Sequence, residues 1–119
     1  MKVVHVTRPV RIPVPGGKLI EEHVGRVASA TEGVSVAHMV APAGWGEPPQ
    51  QPAFDEVTMV VRGRLHVETP DGELTVAAGE SVLVPRGVRV RYANPFAEEC
   101  EYWAVCTPAF APDLAGRSG

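Results

Sequence analysis

The chain has 119 residues, 45% of them apolar and 21% charged, with a formal net charge of −3. That length suits one domain, residues 1–119, with a single core and about two-thirds of its unfolded surface buried. Without a basic field there is no expectation of a nucleic-acid partner. No run approaches the roughly 20 apolar residues that cross a bilayer, so no membrane partner is expected either.

Twelve glycines and twelve prolines are spread among short valine-rich runs, the punctuation of an all-β sandwich or barrel. In chain order, strands are predicted near residues 3–7, 18–24, 33–41, 54–61, 64–69, 73–78, 81–85, 88–93 and 100–106. Pro15-Gly16-Gly17, Arg62-Gly63 and Pro70-Asp71-Gly72 read as turns. Residues 42–53 form a proline-rich loop too stiff for ladder pairing. The tail, 107–119, is expected to be irregular and partly frayed.

The run before the first turn is too short for a signal segment and is broken by Arg8, Pro9 and Arg11, which predicts a cytoplasmic location. Cys100 and Cys106 share the last predicted strand. At ~3.3 Å per residue they stand about 20 Å apart, beyond disulfide reach, and two free thiols suit a reducing compartment.

Side-chain alternation gives the facing of one segment. A two-residue turn at Arg62-Gly63 would pair Val61 with Arg64, Val60 with Leu65 and Met59 with His66. Phe54, Glu56, Thr58, Val60, Leu65 and Val67 then share the more apolar face, which is expected to be the interior. Met59 and His66 point the other way. Glu56 is thereby a carboxylate aimed into a largely apolar space.

Two spaced motifs identify the fold. Residues 79–94 run Gly79, Pro85, Gly87, Val90 and Asn94 in the spacing G-x5-P-x-G-x2-H-x3-N, with Val90 in place of the histidine. Residues 44–63 run Gly44, Gln50, Pro52, Glu56 and Gly63 in the spacing G-x5-H-x-H-x3-E-x6-G, with Gln50 and Pro52 in place of both histidines. The chain therefore resembles the small single-domain cupins of the RmlC-like kind. A narrower resemblance is to the ethanolamine-utilization protein Q-like cupins, which also lack the metal histidines and have a run similar to residues 54–67. The resemblance implies a double-stranded β-helix, or jelly-roll barrel, and a homodimer, with the N-terminal strands contributing to the contact.

In cupins these histidines and the glutamate are metal ligands. Here Glu56 alone is kept, and one carboxylate with one amide makes a poor transition-metal site, so no metal and no cofactor are expected. The alternative is a non-standard site rebuilt from His38 and Glu56. All four histidines, His5, His23, His38 and His66, otherwise read as surface or strand-edge residues.

Burial in an apolar barrel raises a carboxyl pKa, which suits Glu56 to general acid–base work. It could equally be a structural residue bonded to backbone or to Tyr92. Tyr92 shares the inward parity of Val90 and stands as its catalytic partner or as a core aromatic. Trp45 is placed at the mouth, stacking on a ligand or capping the core. Gln50 could donate to a substrate carbonyl. With Phe54, Thr58, Val90 and Tyr102 these make up the expected substrate-binding set. Cys106, with no histidine as base, reads as a small hydrophobe. Trp103, on the opposite face of the last strand, suits a dimer interface.

Three functions stand open. The first is a metal-independent enzyme that binds a small organic molecule and moves a proton on it, by isomerisation, dehydration (a lyase) or cyclisation. The second is a non-catalytic metabolite-binding or accessory protein. The third is a metal-dependent cupin with an unusual site. No Gly-rich phosphate loop supports a nucleotide-linked activity.

Overall fold

A computed structural model describes residues 2–117. Its strands are β1 (Val10–Arg11), β2 (Leu19–Val24), β3 (Ser35–Ala41), β4 (Asp55–Arg62), β5 (Arg64–Thr69), β6 (Gly72–Ala77), β7 (Ser81–Val84), β8 (Arg91–Ala93) and β9 (Cys100–Thr107). They form two antiparallel sheets, one of six strands in the order β1-β2-β3-β9-β4-β7 and one of three in the order β6-β5-β8. This is the jelly-roll arrangement expected from the motifs.

β9 is the spine of the larger sheet, pairing β3 along one edge and β4 along the other. Its sequence alternates strictly: Cys100, Tyr102, Ala104 and Cys106 are buried, while Glu101, Trp103 and Val105 are less so. Both cysteines are buried free thiols. Between the sheets, Val60, Leu65, Val67, Val76, Val84, Val90 and Cys100 pack into the core at one end of the barrel. Each such side chain contributes roughly 1.5–3 kcal/mol by leaving water.

The facing expected for residues 54–67 is found, since Phe54, Thr58, Val60, Leu65 and Val67 are buried and Met59 is exposed. The hairpin that was to produce it is absent. β4 pairs β7 and β9, whereas β5 pairs β6 and β8. A register shift between Val60 and Arg62 leaves Val61 out of the ladder to β9, which closes on Arg62 opposite Glu101, and such an irregular residue bends the strand. Gly63 then turns the corner at φ +78°, and a Cβ there would collide with the Glu99 carbonyl. Arg62-Gly63 is thus a crossing from one sheet to the other. Alternation within a strand is local, so the inward set survives a wrong choice of partner. By contrast, Pro70-Asp71 is a true hairpin turn, with Thr69 opposite Gly72.

Three boundaries are corrected. Residues 3–7 form no strand, and Val3 is fully exposed; the first strand is the two-residue β1. Residues 88–90 precede β8, and Val90 joins only an isolated bridge to Gln50. The tail is ordered through the last described residue, Arg117. A 3-10 helix spans Pro112–Leu114. Backbone bonds from Ala53 N to Leu114 O (2.8 Å) and from Gln51 N to Gly116 O (2.8 Å) tie the tail to the proline-rich loop. Ala109, Ala111 and Ala115 are buried beneath it. Residues 118 and 119 lie outside the described residues.

Asn94, the last position of the second motif, is fully buried. Its amide donates to the carbonyls of Ala41, Pro42 and Glu98, at 3.1, 3.2 and 2.7 Å, and its oxygen accepts from Phe96 N. It thereby clamps the end of β3 to the loop before β9.

Candidate functional site

Next to the core, and sharing Tyr92 and Tyr102 with it, lies a cavity of about 240 Å³. Four strands of the larger sheet supply one wall: Ile20 and Glu22 from β2, Ala37 and Met39 from β3, Glu56 and Thr58 from β4, and Tyr102, Ala104 and Cys106 from β9. Tyr92 of β8 closes it from the other sheet, and Glu47, Gln50 and Phe54 reach in from the proline-rich loop. Over the top lie Ile12, Pro13 and Val14 from the N-terminal segment and Phe110, Pro112 and Arg117 from the tail. The tail, expected to fray, is a wall of the cavity.

Glu56 sits at the polar centre. Its Oε1 accepts a hydrogen bond from the Tyr92 hydroxyl at 2.8 Å, and its Oε2 faces the Cys106 thiol at 3.6 Å. Burial pushes its pKa up, and the Tyr92 bond, the nearby Lys18 charge and the Cys106 thiol only partly oppose this. Tyr92 is held as a neutral phenol by burial and by the Glu56 charge. Burial and Glu56 likewise keep Cys106 a thiol, which agrees with its reading as a small hydrophobe.

The Tyr102 hydroxyl is buried with no hydrogen-bond partner among the described residues. Stranding a buried hydroxyl costs about 1–3 kcal/mol. A hydroxyl left this way in a ligand-sized cavity is a donor waiting for an acceptor.

Four charged residues of this cavity were not singled out from the sequence; one of them, Glu22 of β2, already accepts from the backbone N of Val27 and Ala28 at 2.9 and 2.7 Å. Lys18, just before β2, places its Nζ 4.1 Å from the centre of the Trp45 ring and 5.1 Å from that of Tyr102. Burial lowers its pKa, and Glu47 and Glu56 pull the other way. Glu47 is pushed up by burial against the opposing charges of Lys18, Arg117 and Arg91. Arg117 enters from the tail. One signal could have flagged Lys18: Lys2 and Lys18 are the chain's two lysines beside nine arginines.

Of the residues expected to bind substrate, Gln50, Phe54, Thr58 and Tyr102 line the cavity together with Glu56 and Tyr92. Two do not. Val90 is packed into the core cluster, and Trp45 lies beneath Lys18 as part of the same core. Val90 misses because, bridged to Gln50 outside any strand, it is buried in the core cluster; at the mouth stand residues 12–14 and the tail instead of Trp45.

The metal site typical of such motifs finds a poor donor set here. Its positions hold Gln50, Pro52, Val90 and Glu56, and of these side chains only the amide and the carboxylate can coordinate. His38 cannot complete the set with Glu56. It alternates with the cavity residues Ala37 and Met39 and lies on the outer face, bonded to Glu21 at 3.0 Å and Glu101 at 2.8 Å. The residues present do not fit a catalytic transition metal. A trio of possible donors, His66, Glu68 and Glu73, lies on the outside of the three-stranded sheet, where Glu68 is already paired with Arg91.

Among the described residues, no helix is long and apolar enough to cross a membrane.

The cupin domain family matches residues 37–106. A curated protein of Myxococcus xanthus described as endoribonuclease YbeY is 50% identical over 104 residues, 87% of this chain. The match covers 35% of that protein, so the chain spans about a third of its length. Among solved structures, an RmlC-like cupin from Shewanella frigidimarina superposes with a TM-score of 0.71 at 18% identity, covering 85% of each chain. An ethanolamine utilization protein Q from Salmonella typhimurium gives 0.62 at 21% identity, over 78% of this chain and 71% of that one. The polyketide cyclase RemF from Streptomyces resistomycificus gives 0.69 at 17% identity, over 97% and 89%. Identities this low speak for the fold alone. Family match, motif spacing and topology agree: the chain belongs to the cupin domain family.

Proposed function

We propose that this protein binds a small organic carbonyl compound in its barrel and moves a proton on it without a metal, with Glu56 as the acid–base group. The observation that carries this reading is the Glu56 carboxyl itself. It is half-buried in the cavity wall, bonded by the Tyr92 hydroxyl at 2.8 Å, and raised in pKa by the removal of water around it, which suits a carboxyl to acid–base work. Ile20, Met39, Phe54 and Phe110 supply apolar walls for a short carbon skeleton. Gln50 and Tyr102 supply donors for an oxygen atom. Isomerisation, dehydration and cyclisation all need such a transfer next to a carbonyl and none needs a redox partner. The test is a panel of small aldehydes, ketones and hydroxy-carbonyl compounds in deuterated water, read by NMR for exchange at the carbon next to the carbonyl. Exchange that is lost in Glu56→Gln supports the reading; equal exchange in the variant overturns it.

A second reading has its own support in the 50% identity to part of a protein described as an endoribonuclease. In it the barrel is an accessory domain that binds a metabolite without converting it. The net charge of −3 argues against RNA lying on this domain itself. Saturable binding of a panel compound with no exchange and no product would favour it.

We further propose a cytoplasmic homodimer. The two free buried thiols fit a reducing compartment. Light scattering should give about twice the 12.7 kDa chain mass; the monomer mass would overturn the dimer.

A further inference from the structure

We infer that Lys18 is an amine nucleophile that condenses with the carbonyl carbon of an aldehyde or ketone bound in the cavity. This deepens the proton-transfer reading of Glu56 and rests on it. Lys18 lines the same cavity as Glu56 and Tyr102. Its Nζ is held over the Trp45 and Tyr102 rings, and among the described residues no carboxylate comes within salt-bridge distance of it. An ammonium locked in an ion pair is a poor nucleophile, and Lys18 is not in one. The two ring faces attract an ammonium, while removal from water works against it and lowers the Lys18 pKa.

The cavity also holds the other groups such a condensation needs. The neutral Lys18 amine adds its lone pair to the carbonyl carbon, and the amine proton passes to the oxygen. The protonated Glu56 carboxyl gives a further proton to the resulting hydroxyl, which departs as water and leaves an iminium. The Glu56 carboxylate then takes a proton from the neighbouring carbon, and the iminium accepts the electron pair as an enamine. Return of the proton and addition of water release the ligand and restore both residues. The unpartnered Tyr102 hydroxyl can donate to the carbonyl oxygen before addition. The ligand class is therefore a short aldehyde or ketone with at least one hydrogen beside the carbonyl.

The chain provides its own control. Its other lysine, Lys2, lies exposed near the N-terminus. The full chain is incubated with propanal and sodium cyanoborohydride at neutral pH, which traps an iminium as a secondary amine, and the adducts are located by peptide mapping. Lys18 should label at least about tenfold faster than Lys2, because its neutral fraction is larger. Its labelling should also level off at a lower pH. Labelling of Lys2 or the α-amine without Lys18 overturns the inference, and this reading needs no variant to fold. Lys18→Arg should keep the charge and lose deuterium exchange into propanal, while Lys2→Arg exchanges like the native chain. A Lys18 adduct without exchange leaves the imine standing and overturns the role of Glu56. Exchange that depends on Glu56, with no Lys18 adduct and with Lys18→Arg as active as the native chain, leaves proton transfer standing and overturns the imine.

Discussion

Asp55 and Glu56 are neighbours on β4 and meet opposite fates. Asp55 points out of the barrel, where Arg86 grips it through its backbone N (2.8 Å), Nε (3.2 Å) and a terminal nitrogen (3.0 Å). Those bonds hold its carboxyl below the ordinary range. Glu56 points in, meets a phenol and a thiol, and is pushed up by burial. The contrast continues across the sheet. The outer face carries His38 between Glu21 and Glu101, with the Trp103 ring 5.0 Å from the His38 ring. The inner face carries Tyr102 with an unpartnered hydroxyl and Cys106 as a thiol. The outer face thus holds Asp55 and His38 in hydrogen-bonded pairs, and the inner face leaves the Tyr102 hydroxyl without a partner among the described residues. An unpartnered buried hydroxyl is unfavourable for stability, and a ligand acceptor would relieve it.

Substitutions on the inner face should break this contrast most visibly. Glu56→Gln should lower proton exchange by about 10²–10⁴-fold, the usual size of a general acid–base contribution. Its stability should change the opposite way. A carboxyl whose folded pKa lies above its ordinary 4.5 keeps its proton longer in the folded state. Its contribution therefore falls as pH rises from that value through the folded one. The variant should gain on the native chain in urea midpoint at pH 8 and show little difference at pH 4. A gain that is largest at pH 4 would contradict the burial argument.

Tyr102→Phe should stabilise the protein by about 1 kcal/mol or more by removing a hydroxyl with no partner, and should weaken binding of a carbonyl ligand. A loss of stability would mean that the hydroxyl has a partner after all. On the outer face the effect is smaller and depends on pH. Burial alone would lower the His38 pKa, but the hydrogen bonds to Glu101 and Glu21 outweigh it and raise it above 6.5. A raised histidine contributes fully below its ordinary pKa, and the contribution is lost as pH rises through the folded one. His38→Gln should therefore cost more stability at pH 6 than at pH 9, with Glu21 and Glu101 as the charges bonded to it. Equal losses at both pH values would remove the charge from the account.

The sequence revealed more of the inner face than of the cavity it encloses. Phe54, Glu56, Thr58 and Tyr92 could be read because each sits on or beside a strand whose alternation is local, or at a fixed step from a motif glycine or proline. The partner of β4 could not, since ladder choice depends on the corner at Gly63 and on a register shift that leaves no composition signal. Lys18, Glu47 and Arg117 were not legible as site residues because a turn, a loop and a tail carry them. Nothing in periodicity says that residues 12–14 and 110–117 fold over the same opening. The buried alanines at 109, 111 and 115 were a faint sign that the tail packs. Position 90 misled in the other direction: a motif slot predicts where a ligand histidine would sit, and a valine there turns into the core.

The smallest effect should come from the best-looking ion pair. Asp55 and Arg86 meet through three hydrogen bonds, yet their side chains are 38% and 58% exposed. Water and salt screen such a pair, and holding two side chains in one geometry offsets much of what is left. A depressed carboxyl contributes above its ordinary 3.8, and that contribution is lost as pH falls through the folded pKa. Asp55→Asn should therefore be almost silent in a urea melt at pH 7 in 0.15 M salt, and its small effect should shrink further as pH falls below 3.8. Its neighbour, one residue along the same strand, should change both activity and the pH dependence of stability. If Asp55→Asn instead rivals Glu56→Gln in its effect on the midpoint, then the side of the sheet a carboxylate faces does not set its worth.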